Sequence, residues 1–413
     1  MTRRVVVTGM GVITPLGNDV PTFWEHLVAG RTGVTRIEGF DASAMDSRIA
    51  GEIKHFQPEP EIEKKEGRRM DRFVQYGLKA AFEALRDSKL DLSSAARDRI
   101  GVIIGSGIGG IQSLEKQHEL LLHRGPDRVS PFFIPLMIAN MASGHLAIKL
   151  GLTGPNSCPV TACASGSNAV ADATRLIREG HADAVFAGGA EAAVTPLSVA
   201  GFCAAKALSV RNDAPERASR PFDKDRDGFI IAEGAGVVVL EDLEHARARG
   251  AEILAEIVGL GMTDDAYHIT APHPDGDGGA RAMALAVADA GQKPEAVQYI
   301  NAHGTSTVHG DVAEIKAIKR VFGGHAGRLA VSSTKSMTGH CLGAAGGMEL
   351  IAVVKTLQTQ TIHPTVNLEH PDPECDLDFV PGAARRAEVE YALSNSFGFG
   401  GHNFSILTRR FPA

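Results

Sequence analysis

Short apolar runs alternate along the chain with longer segments whose apolar residues recur at helical spacing. Strand-length runs occupy residues 5–7, 100–104 and 236–241, whereas residues 72–89 and 164–177 carry apolar residues at a period close to that of a helix. Continuous apolar runs are typical of strands buried on both faces, and the longer period indicates helices. The alternation predicts parallel β-α-β units and an α/β fold.

The pattern starts again after Gly250. Further strands are predicted at residues 183–188, 253–261, 297–301, 329–332, 391–395 and 403–407, and further helices at residues 21–30, 134–150, 279–290, 312–322 and 343–357. The restart indicates two similar halves, each led by a strand. It predicts one domain over residues 1–250 and a second over residues 251–413, although the two halves are too different in sequence to define a repeat.

Composition excludes several classes of protein. The 413 residues are 44% hydrophobic and 22% charged, as in ordinary globular proteins. We expect a cytoplasmic protein without membrane insertion, since no apolar run approaches the roughly 20 residues of a membrane span and no signal peptide is recognisable. The net charge of −7 gives no general attraction to nucleic acid. Five cysteines without a CxxC pair argue against a disulfide framework or a zinc site.

Cys163 lies where an apolar run stops and a predicted helix starts. The unpaired N–H groups and the dipole of a helix N-terminus favour a thiolate over a thiol, and the small residues around Cys163 leave room for a substrate. A single cysteine is more often a buried structural residue. This stretch alone therefore leaves both interpretations open.

Two other patterns resemble ligand sites without completing them. The glycines of Gly105-Ser106-Gly107-Ile108-Gly109-Gly110 fit a dinucleotide-binding turn, but a suitable acidic residue is missing about 20 residues further on. The acidic run that begins at Asp223 has glycine, Gly234, at the twelfth position, where a calcium loop needs glutamate. We interpret the first as tight turns and the second as a solvated charged turn.

Two histidines follow predicted strands directly. His303 comes after residues 297–301, and Lys335 and His340 come after residues 329–332. The carboxyl ends of parallel strands meet at one edge of a sheet, where ligands bind. These three residues are therefore expected to converge with Cys163, although each histidine alone could be a surface or core residue.

Four segments in this order resemble the β-ketoacyl-[acyl-carrier-protein] synthases. They are Ala162-Cys163-Ala164-Ser165-Gly166, Asn301-Ala302-His303-Gly304-Thr305-Ser306-Thr307, Lys335-Ser336-Met337-Thr338-Gly339-His340 and Asn395-Ser396-Phe397-Gly398-Phe399-Gly400-Gly401. The resemblance runs from Val5 to Asn403, and the segments around Arg69 and Gly105 are more similar to the synthase II branch. It implies the thiolase fold, in which two similar β-α halves form five layers, αβαβα.

The resemblance also implies a reaction. An acyl group is transferred to Cys163, malonyl carrier protein loses CO2, and the resulting carbanion attacks the acyl group to give 3-oxoacyl carrier protein and free carrier protein. This acyltransferase reaction is a decarboxylative Claisen condensation that elongates chains in fatty acid biosynthesis. Backbone N–H groups of Cys163 and Phe399 are expected to hold the oxyanion, and neutral His303 and His340 the enolate. No cofactor is expected.

Further residues are assigned through the same resemblance. Lys335 is expected to act in positioning and electrostatics, paired with Glu349. Phe399 is expected to be a gate that opens after acylation. The expected substrate-binding residues are Ile108, Phe202, Thr305, Thr307 and Phe397, with the two threonines bonded to the pantetheine amides.

The expected partners are an acidic acyl carrier protein and a second copy of the chain. Locally basic residues suit an acidic partner, although a charge run is usually a solvated surface. The residues expected to dock the carrier protein are Lys64, Lys65, Arg68, Arg69, Arg124, Arg128 and Lys206. The homodimer is an expectation from the family alone.

Three alternatives remain beside this interpretation. A free-standing polyketide ketosynthase shares the same motifs. A Cys–His thioester hydrolase would use the cysteine and one histidine, but two histidines with a lysine suit carbanion stabilisation better. An inactive partner subunit would lack the cysteine, so the presence of Cys163 argues against it.

Overall fold

A ten-stranded mixed sheet organises the chain, of which the computed structural model describes residues 3–412. Residues 1, 2 and 413, at the ends of the two predicted domains, lie outside the described residues. The strands are β1 (Val5–Ile13), β2 (Thr35–Arg36), β3 (Ile49–Ala50), β4 (Ile100–Gly105), β5 (Asn156–Ser157), β6 (Ala184–Glu191), β7 (Gly234–Asp242), β8 (Ala255–Asp264), β9 (Tyr299–Asn301), β10 (Ala330–Ser332), β11 (Thr361–Ile362), β12 (Arg385–Arg386), β13 (Tyr391–Gly398) and β14 (His402–Arg409). Two small pairs, β2 with β3 and β11 with β12, lie outside the large sheet.

The order of the large sheet repeats itself about its centre. It runs β10-β9-β13-β14-β8-β1-β7-β6-β4-β5. When the five strands of each half are counted in chain order, both halves show the order third, second, fourth, fifth and first from the outer edge to the centre. In both halves the two outer pairings are parallel and the two inner pairings antiparallel. The expectation of parallel strands is therefore wrong for the inner pairings. Between β13 and β14 the reason is the short connection, which can join only antiparallel strands.

The two halves share one sheet because their first strands pair. Val5, Val6 and Val7 of β1 lie antiparallel to Ile257, Glu256 and Ala255 of β8. The predicted boundary near residue 250 falls in the connection between the halves. The division into two domains stays a prediction, since a continuous sheet crosses it.

Helices form three layers around the two halves of the sheet. They are α1 (Val20–Val28), α2 (Lys64–Gly67), α3 (Arg72–Ser88), α4 (Ile111–Arg124), α5 (Phe133–Met137), α6 (Met141–Leu150), α7 (Ser165–Arg178), α8 (Pro196–Ala204), α9 (Leu243–Ala248), α10 (Asp277–Asp289), α11 (Val308–Phe322), α12 (Lys335–Thr338) and α13 (Ala345–Thr359). α3 and α6 cover the first half, α10 and α11 cover the second, and α7 and α13 lie between them in contact with strands of both. This arrangement confirms the predicted five-layered thiolase fold.

Small residues allow the two central helices to approach each other. A Cβ added to Gly166 of α7 would lie 2.9 Å from the backbone O of Gly343 and from the N of Gly347. A Cβ added to Gly346 of α13 would lie 2.3 Å from Oγ of Ser167. The alanine- and glycine-rich sequence of both helices is therefore a requirement of this close packing.

Two local expectations differ from the structure, and one helix was not expected. The helix predicted at residues 134–150 is two helices, α5 and α6, because the chain is extended at Ile138 (ψ 137°) and resumes helical form at Met141. The apolar run before Cys163 is not a strand up to residue 162, since β5 ends at Ser157. The periodicity does not predict α8, which is a nearly uniformly apolar helix.

A buried carboxylate ties the first strand to the seam between the halves. Glu241 of β7 accepts hydrogen bonds from Thr8, from Nδ1 of His245 at 2.7 Å and from the guanidinium of Arg249. Burial opposes its ionisation, but the hydrogen bonds from Arg249, His245 and Thr8 lower its pKa to about 2.

No helix within residues 3–412 has the length and apolar character that a membrane span requires.

Candidate active site

Cys163 lies in a tight turn that leads into the central helix α7. The turn is a short 3-10 helix, Ala162–Ala164, and α7 starts at Ser165. Ala162 has a φ of +49°, a conformation that costs energy for any residue with a side chain, and the Ser165 hydroxyl donates to its carbonyl at 2.7 Å. The expected position at the start of a helix is correct, and Cys163 lines the cavity described below.

The surroundings of Cys163 hold it as a thiol. Its side chain is buried, and burial raises the pKa of the thiol to about 12. The charge of Lys335 lowers that pKa and the charge of Glu191 raises it. The backbone N–H groups of Phe399 and of Cys163 itself face the sulfur and lower the pKa further. Burial therefore opposes the resting thiolate that the helix N-terminus favours.

Two histidines meet beside the cysteine. The ring centroids of His303 and His340 are 5.3 Å apart, with an angle of 87° between the rings. Burial lowers the pKa of both imidazoles well below the usual value, and the charge of Lys335 lowers both further. Both rings are therefore neutral at physiological pH, as expected for hydrogen-bond donors to an enolate oxygen.

Lys335 defines which nitrogen of His303 carries the proton. Its ammonium lies 3.5 Å from Nδ1 of His303 and forms an ion pair with Glu349, both side chains being 2% exposed. An ammonium group only donates, so Nδ1 accepts and the proton of neutral His303 resides on Nε2. The expected pairing of Lys335 with Glu349 is present in the structure.

His340 keeps both ring nitrogens available. Its backbone N–H donates to the carbonyl of Ile230 at 2.7 Å, and its ring packs edge-on against Phe229. Neither Nδ1 nor Nε2 has a hydrogen-bond partner within residues 3–412. A buried polar group without a partner is costly, so this ring is arranged for a group that comes with the substrate.

Glu314 is a site residue that the sequence reasoning missed. Its buried carboxylate on α11 accepts from the backbone N–H of His303 at 2.9 Å, from that of Gly304 at 2.8 Å and from the side-chain amide of Asn395 at 3.1 Å. It thus holds the turn that carries the first histidine. The available signal was an acidic residue in the second turn of the helix that follows His303, and such a residue is ordinary in a helix.

One cavity of about 550 Å³ joins these groups. Cys163, His303, His340 and Phe399 line it, and Lys335 with its partner Glu349 contacts the lining residue His303 from outside the lining. All five residues expected to bind substrate also line the cavity: Ile108, Phe202, Thr305, Thr307 and Phe397. Phe399 is 36% exposed and is followed by Gly400 and Gly401, both with positive φ, a conformation that glycine adopts without strain.

The basic residues expected to dock a partner are distributed over the surface. Lys206 lines the cavity, whereas the other six do not. Lys64, Lys65, Arg68 and Arg69 lie on or next to α2, and the guanidinium of Arg69 lies 4.8 Å from the ring centroid of Phe132. Arg124 and Arg128 are exposed at the end of α4 and in the turn after it. The structure therefore brings only Lys206 to the catalytic groups.

The raised pKa of Cys163 predicts an unusual reactivity profile. Only the thiolate reacts with iodoacetamide, so the alkylation rate of Cys163 should rise about tenfold per pH unit from pH 7 to about pH 10 without reaching a plateau. The measurement is mass spectrometry of the peptide that contains Cys163 after timed alkylation.

The Cys163→Ala variant provides the control, since it identifies alkylation of the other four cysteines. If the alkylation rate instead reaches a plateau at a pH lower than 8, Cys163 is a resting thiolate and the assignment is contradicted.

Comparisons with known proteins agree along nearly the whole chain. The model of the β-ketoacyl synthase N-terminal domain matches residues 2–246, and the model of its C-terminal domain matches residues 254–369. The 3-oxoacyl-[acyl-carrier-protein] synthase 2 of Synechocystis sp. is 57% identical over 99% of this chain and 98% of its own length. The protein of the same name from Staphylococcus aureus is 53% identical over 100% and 99%.

A solved structure shares the same fold at full length. It contains a type II polyketide synthase acyl-carrier protein in complex with its ketosynthase bound to the hexaketide, and the matched chain has a TM-score of 0.93 and 37% identity over 100% of both chains. The family models, the full-length identity and the cavity with one cysteine and two histidines agree. The chain belongs to the β-ketoacyl synthase family.

Proposed function

We propose that Cys163, His303 and His340 carry out the two half-reactions of the condensation that this chain catalyses. The chain is an acyltransferase of fatty acid elongation that joins a malonyl and an acyl thioester of acyl carrier protein into 3-oxoacyl carrier protein, with loss of CO2. The observation that supports the assignment is the cavity in which a buried thiol faces two neutral imidazoles and two backbone N–H groups.

In the first half-reaction the acyl group moves to Cys163. The sulfur attacks the thioester carbonyl, the new S–C bond forms and the bond to the carrier thiol breaks. The proton of the Cys163 thiol goes to the departing carrier thiolate. The oxyanion of the tetrahedral intermediate lies between the N–H groups of Cys163 and Phe399, which face the sulfur.

In the second half-reaction malonyl carrier protein takes the place of the first carrier. Its carboxylate leaves as CO2, and the electron pair of the broken C–C bond forms an enolate. The enolate carbon attacks the acyl carbonyl, and the Cys163 thiolate leaves and takes up a proton from water. Nε2–H groups of His303 and His340 hold the enolate oxygen in a site shielded from water.

Lys335 acts through His303. Its ammonium donates to Nδ1, so the other nitrogen of the ring points a proton at the enolate. Its buried partner Glu349 holds the ammonium in place and compensates its charge. Phe399 acts as a gate whose movement opens the cavity after acylation, and Thr305 and Thr307 bind the pantetheine amides. Neither step requires a cofactor.

The chemistry of the site separates this proposal from thioester hydrolysis. A cysteine hydrolase activates its thiol by a histidine that takes the proton, whereas both imidazoles here have a strongly lowered pKa and sit beside an ammonium group. Identity of 57% and 53% to synthases of fatty acid elongation, against 37% to the polyketide ketosynthase, favours fatty acid over polyketide elongation.

The roles of the residues predict that the two half-reactions respond separately to mutation. Cys163→Ala should abolish acyl-enzyme formation and condensation. Lys335→Met should slow condensation by about a hundredfold or more, because His303 loses the donor that fixes its proton. Transfer of the acyl group to Cys163 should slow by no more than about tenfold, because the thiol loses only the charge that lowers its pKa. Intact-protein mass spectrometry measures the acyl-enzyme, and labelled CO2 release and product formation measure condensation.

Lys355→Met is the matched control, since Lys355 is a partly buried lysine on α13 outside the cavity. It should leave both half-reactions unchanged. If Lys335→Met slows both half-reactions equally, Lys335 does not act through His303.

We further propose that the basic surface around α2 docks the acyl carrier protein. Lys64, Lys65, Arg68 and Arg69 are exposed, and none of the four takes part in an ion pair among residues 3–412. Lys206 stands at the cavity and is paired only with exposed Asp46, at 3.0 Å. Exposed cations without an ion-pair partner accelerate the encounter with an acidic partner.

Reversal of charge at two of these positions tests the docking surface. Lys65→Glu combined with Arg68→Glu should raise KM for carrier-bound substrate about tenfold and leave KM for a coenzyme A-bound analogue within about twofold, since the analogue lacks the protein surface. Lys293→Glu combined with Arg410→Glu changes the net charge equally at exposed positions elsewhere. An equal effect of both double variants would contradict a local docking site.

We also propose a homodimer formed through the edge of the sheet at β5. Asn156 and Ser157 are exposed at the end of the strand order, with one edge unpaired in the described chain. Ala139 O lies 3.4 Å from Sγ of Cys158, which follows this strand, and Ile134 and Ile138, in the segment before Ala139, are exposed. A second copy of β5 could pair antiparallel across a two-fold axis and remove the exposed edge.

The helix α4 supports the same interface. It packs on α5, has no buried residue within the described chain and exposes Leu121 and Leu122 at 44% and 66%. A helix with apolar residues and no buried face is typical of an interface whose partner is another molecule.

Mutation of these leucines tests the dimer. Leu121→Asp with Leu122→Asp should convert a dimer of about twice the mass of one chain into a monomer in analytical ultracentrifugation, because two charges would be desolvated in an apolar interface. Leu285→Asp, at an exposed leucine of α10, should remain dimeric. A monomeric wild type, or a double variant that stays dimeric, would rule out this interface.

A further inference from the structure

Glu191 is a fully buried carboxylate next to the active site that the proposed reaction does not use. It is the last residue of β6, whose parallel neighbour in the sheet is β4. Parallel strands end at the same edge, so the Glu191 side chain lies beneath the loop that follows β4. Its charge is close enough to Cys163 to raise the pKa of that thiol.

The loop after β4 is organised around this carboxylate. The Ser106 hydroxyl donates to Glu191 at 2.9 Å, and the backbone N–H groups of Gly107 and Ile108 donate at 2.7 and 3.2 Å. The Ser106 hydroxyl also accepts from the N–H of Gly109 at 3.0 Å. Consecutive N–H groups that face one anion form a compact nest, and here the anion is a side chain of the same protein.

The same carboxylate reaches the turn that follows His340. The N–H of Gly343, in the 3-10 turn Leu342–Ala344, donates to Glu191 at 3.1 Å. A Cβ at Gly343 would lie 2.3 Å from the N of Gly107, and a Cβ at Gly107 would lie 2.9 Å from the Glu191 carboxylate. The two loops therefore contact each other through backbone atoms, with the carboxylate between them.

Ile108 is the side chain that this loop presents to the substrate. It is 37% exposed and lines the cavity together with Cys163, Phe202 and Leu342. Its backbone N–H is one of the groups held by Glu191. Because Ile108 and Cys163 line the same cavity, the position of Ile108 limits the space for an acyl chain attached to Cys163.

We propose that Glu191 is a positioning residue that determines acyl chain-length selectivity. It holds residues 106–109 against the turn after His340 and so fixes Ile108 across the acyl cavity. A long acyl chain displaces the loop and works against these hydrogen bonds, whereas a short chain does not. The inference rests on the proposed function, because it assigns the acyl group to Cys163.

Glu191→Gln tests the inference with little change in shape. Glutamine has an NH2 group in place of one carboxylate oxygen, and this group cannot accept the hydrogen bonds that the loop donates. The loop should therefore loosen. The ratio of kcat/KM for hexadecanoyl to that for hexanoyl carrier protein should rise about tenfold. Ser106→Ala removes one donor and the link to Gly109, and should raise the ratio about threefold.

Glu241→Gln is the matched control, since it removes the charge of another buried carboxylate that accepts several hydrogen bonds and does not line the cavity. It should lower thermal stability and leave the ratio unchanged. An equal loss of activity for both acyl chains in Glu191→Gln, or an unchanged ratio, would overturn the inference. If Glu191→Gln does not fold, Ser106→Ala decides, and a ratio within about 1.5-fold of wild type overturns it.

Wild-type enzyme in the same assay separates this inference from the proposed function. Failure of the wild type to form 3-oxoacyl product from either substrate would contradict the proposed function itself. Product formation by the wild type with an unchanged ratio in the variants would overturn only the role of Glu191.

Discussion

The close contact between α7 and α13 is the constraint on which the site depends. Both helices are short of large side chains where they touch, and a Cβ at Gly166 or Gly346 would collide with the opposite helix. Each helix starts from a 3-10 turn whose first residue has positive φ, Ala162 before α7 and Leu342 before α13. Because the helices lie against each other, these turns also meet, and the cysteine of one half reaches the histidines of the other.

Burial shifts the pKa of the thiol and the pKa values of the imidazoles in opposite directions. It keeps the Cys163 thiol protonated and both imidazoles neutral, so each group is present in its uncharged form. The exception is the ion pair between Lys335 and Glu349, which is tolerated because the two charges compensate each other. The dry surroundings strengthen every hydrogen bond to a developing negative charge. They therefore favour the enolate that forms during the reaction, whereas Cys163 rests as a thiol.

The sequence predicted an α/β fold, the repeated halves of the pattern and the convergence of four residues in one site. The first two depend on periodicity, which is a local property. The convergence does not follow from strand ends alone, because β1 and β8 pair antiparallel and the parallel strands of the two halves therefore run in opposite directions. The ionisation of Cys163 could not be predicted in the same way, since the helix N-terminus is visible in the sequence but the depth of burial is not. Glu314 was missed for a related reason, because a glutamate inside a helix has no local feature that distinguishes it from a surface residue.

The two halves stabilise equivalent loops by the same physical means. The second strand of each half, β4 or β9, is followed by a loop whose backbone N–H groups point at a buried carboxylate. In the first half the carboxylate is Glu191 from a strand, and in the second it is Glu314 from a helix. A simple sequence repeat would have placed both on equivalent elements. The repetition therefore lies in the backbone of the two loops, whose N–H groups need an anion. The loops themselves differ, because one presents Ile108 to the acyl chain and the other presents His303 to the reacting carbon.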